Sequence, residues 1–102
     1  MAASKLETPQ IDRLFEAILL LENKEECYRF FDDICTIGEV QSMAQRLQVA
    51  EMLMAGNTYT EIADVTTAST ATISRVKRFL NYGSNGYKLI LERFKLQDEQ
   101  RG

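Results

Sequence analysis

The chain has 102 residues, 45% of them apolar and 26% charged, with a net charge of −3 and no histidine. That length suits one domain with a modest core. No run approaches the roughly 18 apolar residues of a membrane span, and the N-terminal MAASKLETPQ lacks the apolar centre of a secretory signal, so a soluble, cytoplasmic protein with no membrane partner is expected. The missing imidazole removes the commonest general base and metal ligand. Cys27 and Cys35 form neither a CxxC nor any other metal spacing and read as buried, reduced thiols. Neither an enzyme nor a metal or cofactor site is expected.

Apolar residues recur at three- and four-residue spacing and alternating runs are absent, which predicts an all-helical fold. Thr8-Pro9 supplies an N-cap and a first-turn proline for a helix ending near Asn23, with Ile11, Leu14, Phe15, Ile18 and Leu21 as its inner stripe. Lys24 to about Cys35 carries the next stripe, Cys27, Phe30, Phe31 and Ile34. Thr36 and Glu39 have capping-box spacing for a third helix, which runs to Ala55 with Val40, Met43, Ala44, Leu47, Ala50 and Met54 inward and stops at Gly56. A second capping box, Thr58 to Glu61, opens a short helix that stalls at Thr66-Thr67, where hydroxyls compete with helical hydrogen bonds. Ser69 caps a fifth helix reaching about Tyr82, where Asn81-Tyr82-Gly83-Ser84 is the stop. The last helix sets Tyr87, Ile90, Leu91 and Phe94 on one face, and the polar residues 97–102 are expected to fray.

Charge is unevenly spread. Up to residue 35, Glu7, Asp12, Glu16, Glu22, Glu25, Glu26, Asp32 and Asp33 outnumber Lys5, Arg13, Lys24 and Arg29. From Ser69 to Lys95 the balance inverts, with Arg75, Lys77, Arg78, Lys88, Arg93 and Lys95 against the single acid Glu92. A basic segment on an acidic body suits a small DNA-binding module, because affinity follows the local potential at the phosphates.

Residues 60–76 have the internal pattern of a helix-turn-helix. Ile62 and Val65 are expected to face the core, Ala63 to permit close approach of the two helices, and Ile73 and Val76 to bury the inner face of the second. Thr70, Ala71, Ser74 and Lys77 then point outward, short side chains that let a helix enter a major groove and a cation for phosphate. Thr60, Ser69, Thr70, Ala71, Thr72, Ser74, Arg75, Lys77 and Arg78 are the candidate DNA contacts. Ile62-Ala63 with Ser69-x-x-Thr72-Ile73-Ser74-Arg75 resembles the bacterial pattern I-A-x-x-L-G-V-S-x-x-T-V-S-R. Thr66, Thr67 and Ala68 stand for its Leu, Gly and Val, and a β-branched residue in place of that glycine predicts a wider or differently shaped turn.

With the preceding helix included, Gln45-Arg46-Leu47-Gln48-Val49-Ala50-Glu51-Met52-Leu53-Met54-Ala55-Gly56 followed by Ala71-Thr72-Ile73-Ser74-Arg75 resembles the tryptophan repressor (TrpR) superfamily, and within it the YerC/YecD-type proteins. The resemblance implies a six-helix TrpR-like subunit spanning residues 1–102 in an interwoven homodimer. Its helical dimerisation core would cover about 9–56 and 86–96, and its helix-turn-helix about 59–80. The number of apolar stripes on so short a chain also suits a core shared by two subunits. In the tryptophan repressor the indole lies between two arginines, which the motif matches to Arg46 and Arg75, while a glycine and a serine there become Val76 and Phe79. Arg46, Arg75, Val76 and Phe79 therefore mark a possible effector pocket, but the added bulk and lost polarity argue against tryptophan as co-repressor. Surface ion pairing, or phosphate binding for Arg75, is the alternative role of the arginines.

The expectation is a homodimeric, sequence-specific regulator of transcription, a repressor by resemblance, that binds double-stranded DNA. The alternative is a helical protein-interaction module that keeps the fold without specific DNA binding, consistent with the net negative charge and the altered turn.

Overall fold

The computed structural model describes residues 4–101. Six helices follow one another with no strand among the described residues: α1 (Pro9–Leu19), α2 (Lys24–Ile34), α3 (Ile37–Met54), α4 (Tyr59–Thr66), α5 (Thr70–Tyr82) and α6 (Gly86–Arg101). None is long and apolar enough to cross a membrane. The chain divides into two compact units, one up to Val40 and one from Gln41 onward.

Local hydrogen bonds set most helix starts. Thr8 accepts the Ile11 N–H at 3.1 Å ahead of Pro9. Asn23 caps α2 by accepting the Glu26 N–H at 2.9 Å, so this residue opens the second helix, and α1 already ends at Leu19. Its amide oxygen is better used on a free helix N-terminus than in the last turn of the preceding helix. Thr36 and Glu39 form the expected reciprocal pair, 3.1 Å from the Glu39 N–H to the hydroxyl and 2.8 Å from the Thr36 N–H to the carboxylate. At the other end of α3, Gly56 adopts φ +88°, with the Gly56 N–H on the Leu53 carbonyl and the Asn57 N–H on that of Met52. This pair of bonds is the Schellman arrangement that a left-handed glycine permits.

α5 ends at Tyr82 as expected, but Gly83 is not left-handed. A Cβ there would collide with the Phe79 carbonyl oxygen, so the position needs glycine for close approach. Asn85, at φ 64°, then starts α6. This last helix continues to Arg101, so the polar residues 97–101, expected to fray, are helical, in a sequence rich in good helix formers. Gly102 and residues 1–3 of the N-terminal stretch lie outside the described residues.

In the second unit, Val49 and Ala50 of α3, Ile62 of α4, Ala68 of the turn that follows it, Ile73, Val76 and Leu80 of α5, and Leu91 of α6 form the buried core. Leu47, Met52, Leu53, Tyr59, Ala63 and Tyr87 pack around it. The stripes expected to be inward on the earlier helices are largely uncovered within one chain. α1 and α2 contain no buried residue, Phe15 and Ile34 are exposed, and Ile11, Leu14, Ile18, Leu21, Phe30 and Phe31 reach only half burial. Two adjacent helices of 11 residues cannot enclose their own apolar faces. Cys27 is exposed and Cys35 half-buried, both free, so the thiols expected to be buried are not covered within one chain. On α3, Ala50 is buried but Met43, Ala44 and Met54 are exposed, and Val49 takes the inner place. On α6 only Leu91 is buried, with Ile90 and Phe94 exposed.

Candidate nucleic-acid interface

α5 is anchored by Ile73, Val76 and Leu80, spaced three and four apart so that they fall on one face. The rest of its surface carries Thr70, Ala71, Ser74, Arg75, Lys77 and Arg78, all exposed. The outward row is therefore the one the sequence pattern placed there. Ser69 accepts the Thr72 N–H at 3.1 Å, and its hydroxyl donates to the Thr72 hydroxyl at 3.1 Å. These two hydroxyls are thus engaged with each other at the helix start, and Thr72 is half-buried. Thr60 is exposed on the first turn of α4.

α4 begins with the complete capping box: the Glu61 N–H donates to the Thr58 hydroxyl at 3.2 Å and the Thr58 N–H to the Glu61 carboxylate at 2.9 Å. The Asn57 amide adds a third contact at 3.3 Å. Hydrogen bonds from the Thr58 backbone, the Thr58 side chain and Asn57 hold the Glu61 carboxyl below its ordinary range. Glu39 is lowered in the same way by the Thr36 backbone and then its side chain.

The turn between α4 and α5 corrects one expectation, for Val65. Thr67 takes φ 59° and ψ 13°, so the left-handed backbone that the pattern gives to glycine is adopted here by a β-branched residue. The strain of a β-branched residue there is met by a hydroxyl network. Thr66, which is buried, donates to the Ile62 carbonyl at 2.7 Å and accepts the Ala68 N–H at 3.1 Å. Thr67 Oγ1 donates to the Thr66 carbonyl at 2.6 Å, and Gln45 Nε2, reaching across from α3, donates to the same oxygen at 3.0 Å. Val65, expected in the core, is 59% exposed; Thr66 and Ala68 occupy the interior instead, the threonine because its own polar group is satisfied locally.

One group that the sequence pattern did not single out stands at this surface. Tyr59, the first residue of α4, packs half-buried against the core. Its hydroxyl lies 3.5 Å from that of Ser74, at the long end for such a contact. The Lys77 ammonium lies over its ring, 5.7 Å from the centroid. Aromatic–cation pairs between two helices have no fixed sequence spacing. Gln45 was legible only as part of a motif.

Arg46 and Arg75 do come together. With Leu47, Val76, Phe79, Ser84, Gly86, Tyr87 and Ile90 they line an open groove of ≈ 680 Å³. Arg46 donates to the Ser42 hydroxyl at 2.9 Å. Surface ion pairing does not occur for either arginine: among the described residues the one ion pair is the exposed Arg13–Glu16 contact at 3.1 Å. The cations of α5 are therefore not neutralised by neighbouring carboxylates. Among the described residues no group of three or more Cys, Asp or Glu could hold a metal ion.

A six-helix chain with a capped helix-turn-helix and an uncovered polar face on its second helix defines the structural class. The family model described as Trp repressor protein matches residues 9–95. The uncharacterized protein YerC of Bacillus subtilis (strain 168) is 60% identical over 95 residues, covering 93% of this chain and 91% of its own length. Two solved structures superpose closely. A candidate Trp repressor from Staphylococcus aureus has a TM-score of 0.86 and 57% identity, covering 89% of this chain and 91% of that one. A TrpR-like protein from Eubacterium eligens ATCC 27750 has a TM-score of 0.87 and 53% identity, over 89% and 94%. The chain belongs to the Trp repressor family.

Proposed function

We propose that this protein is a homodimeric, sequence-specific DNA-binding regulator of transcription, acting as a repressor through α4 and α5. The observation that carries this reading is the geometry of α5: one face locked into the core by Ile73, Val76 and Leu80, the other presenting Thr70, Ala71 and Ser74 beside the unneutralised cations Lys77 and Arg78. Short side chains allow the helix to approach base edges, and free cations supply the phosphate attraction that acidic residues elsewhere in the chain do not cancel locally. Family membership supports the same reading. Two subunits are supported by α1 and α2, whose apolar residues stay uncovered in the single chain, Leu19 and Tyr28 among them.

The experiment is fluorescence anisotropy of the pure protein on a duplex selected from random sequence and on its scrambled counterpart, across a salt series. Salt-sensitive binding with preference for the selected duplex is expected. No binding at low salt would shift the reading to a helical protein-interaction module.

A further inference from the structure

We propose that Tyr59 is a positioning residue for DNA binding: its ring holds the Lys77 ammonium in place, so that the phosphate contact is ordered before DNA arrives. This rests on the DNA-binding reading above. Three observations converge on the residue. The capping box at Thr58 and Glu61 fixes the backbone where α4 starts, so the root of Tyr59 does not swing. The residue packs half-buried against the core. The far end reaches the outward face of α5, where its hydroxyl stands 3.5 Å from the Ser74 hydroxyl and the Lys77 ammonium lies 5.7 Å from the ring centroid. That distance is within the roughly 6 Å at which a ring face attracts a cation. A lysine side chain loses much rotamer freedom when it grips a phosphate, and a partner that already restrains it removes part of that cost from binding.

Positioning and direct contact leave different marks on a salt series. Removing Lys77 removes a phosphate contact and lowers the slope by about one. Removing the ring leaves the lysine able to reach the phosphate, so affinity falls while the slope stays.

The test measures anisotropy on the scrambled duplex, with thermal melting to verify folding, for Tyr59→Phe, Tyr59→Leu, Lys77→Ala and the double variant Tyr59→Leu with Lys77→Ala. Tyr59→Leu is expected to weaken binding by about two- to five-fold with a parental salt slope, and Tyr59→Phe to bind like the parent. In the Lys77→Ala background, Tyr59→Leu is expected to add nothing. Pentafluorophenylalanine at position 59 keeps the ring's shape but reverses its quadrupole, so it should reproduce the leucine effect even if the leucine variant folds poorly. A full Tyr59→Leu loss that persists without Lys77, or a fluorinated ring that binds like the parent, overturns the proposal while leaving DNA binding intact. A parent with no salt-sensitive binding removes both.

Discussion

Gln45 on α3 donates from its side-chain amide to the carbonyl of Thr66 at 3.0 Å, so the long helix holds the last residue of α4 where the helix-turn-helix bends. The next residue, Thr67, is left-handed at φ 59°. Left-handed backbone costs an L residue roughly 1–2 kcal/mol, and glycine avoids that cost at some loss of unfolded-state entropy. Thr67→Gly is therefore expected to stabilise the protein by about 1 kcal/mol net, with Gln45 still serving the Thr66 carbonyl after the Thr67 hydroxyl is gone. Urea unfolding of parent and variant at one fixed protein concentration checks this; a destabilised variant would show that the hydroxyl outweighs the strain.

Acid should weaken the start of α4. The Glu61 carboxyl lies below the ordinary glutamate value of 4.5 in the folded protein, held there first by the Thr58 N–H. Its folded-state value is the lower of the two, so its contribution is complete above pH 4.5 and is lost as pH falls through the folded-state value. Glu61→Gln keeps the capping geometry but does not titrate. Thermal melts from pH 7 downward should show the parent losing more stability than Glu61→Gln in that window, and parallel losses would count against the capping role.

Sedimentation at micromolar concentration should show a homodimer, because α1 and α2 bury no residue within one chain. A well-folded monomer at that concentration would remove the basis for two-fold operator recognition.

Calorimetry with free tryptophan should give no saturable heat. Arg46 and Arg75 share a groove, but Val76 and the 53%-exposed Phe79 line it where the family resemblance places a glycine and a serine. A stoichiometric signal would overturn this, and the double change Val76→Gly with Phe79→Ser is the variant expected to begin making room.

Thr70→Ala and Ser74→Ala should leave folding intact, since both side chains are exposed, and change the preference between selected and scrambled duplexes by ~1–3 kcal/mol where the contact to a base is direct. Lys77→Ala should weaken both complexes and make the salt dependence shallower by about one unit of slope. Parental behaviour in all three variants would show that α5 does not face DNA.

The starts of these helices were legible in the sequence because a cap is a contract over three residues: Thr8 with Ile11, Thr36 with Glu39, Thr58 with Glu61, Ser69 with Thr72. The inner face of α5 was legible for a similar reason at Ile73 and Val76, which follow the helical period; Leu80, one turn further on, joins them in the structure. Tertiary structure decided the rest. Thr67 turns left-handed without glycine because its own hydroxyl, that of Thr66 and the amide of Gln45, 21 positions before Thr66, satisfy the turn's polar groups. Periodicity marked the stripes of α1 and α2 as apolar but could not say whether the same chain would cover them, because burial depends on which surfaces meet. The same holds for Lys77 over the Tyr59 ring and for Arg46 and Arg75 on one groove: the sequence supplied the groups, and only the packing of the helices brought them together.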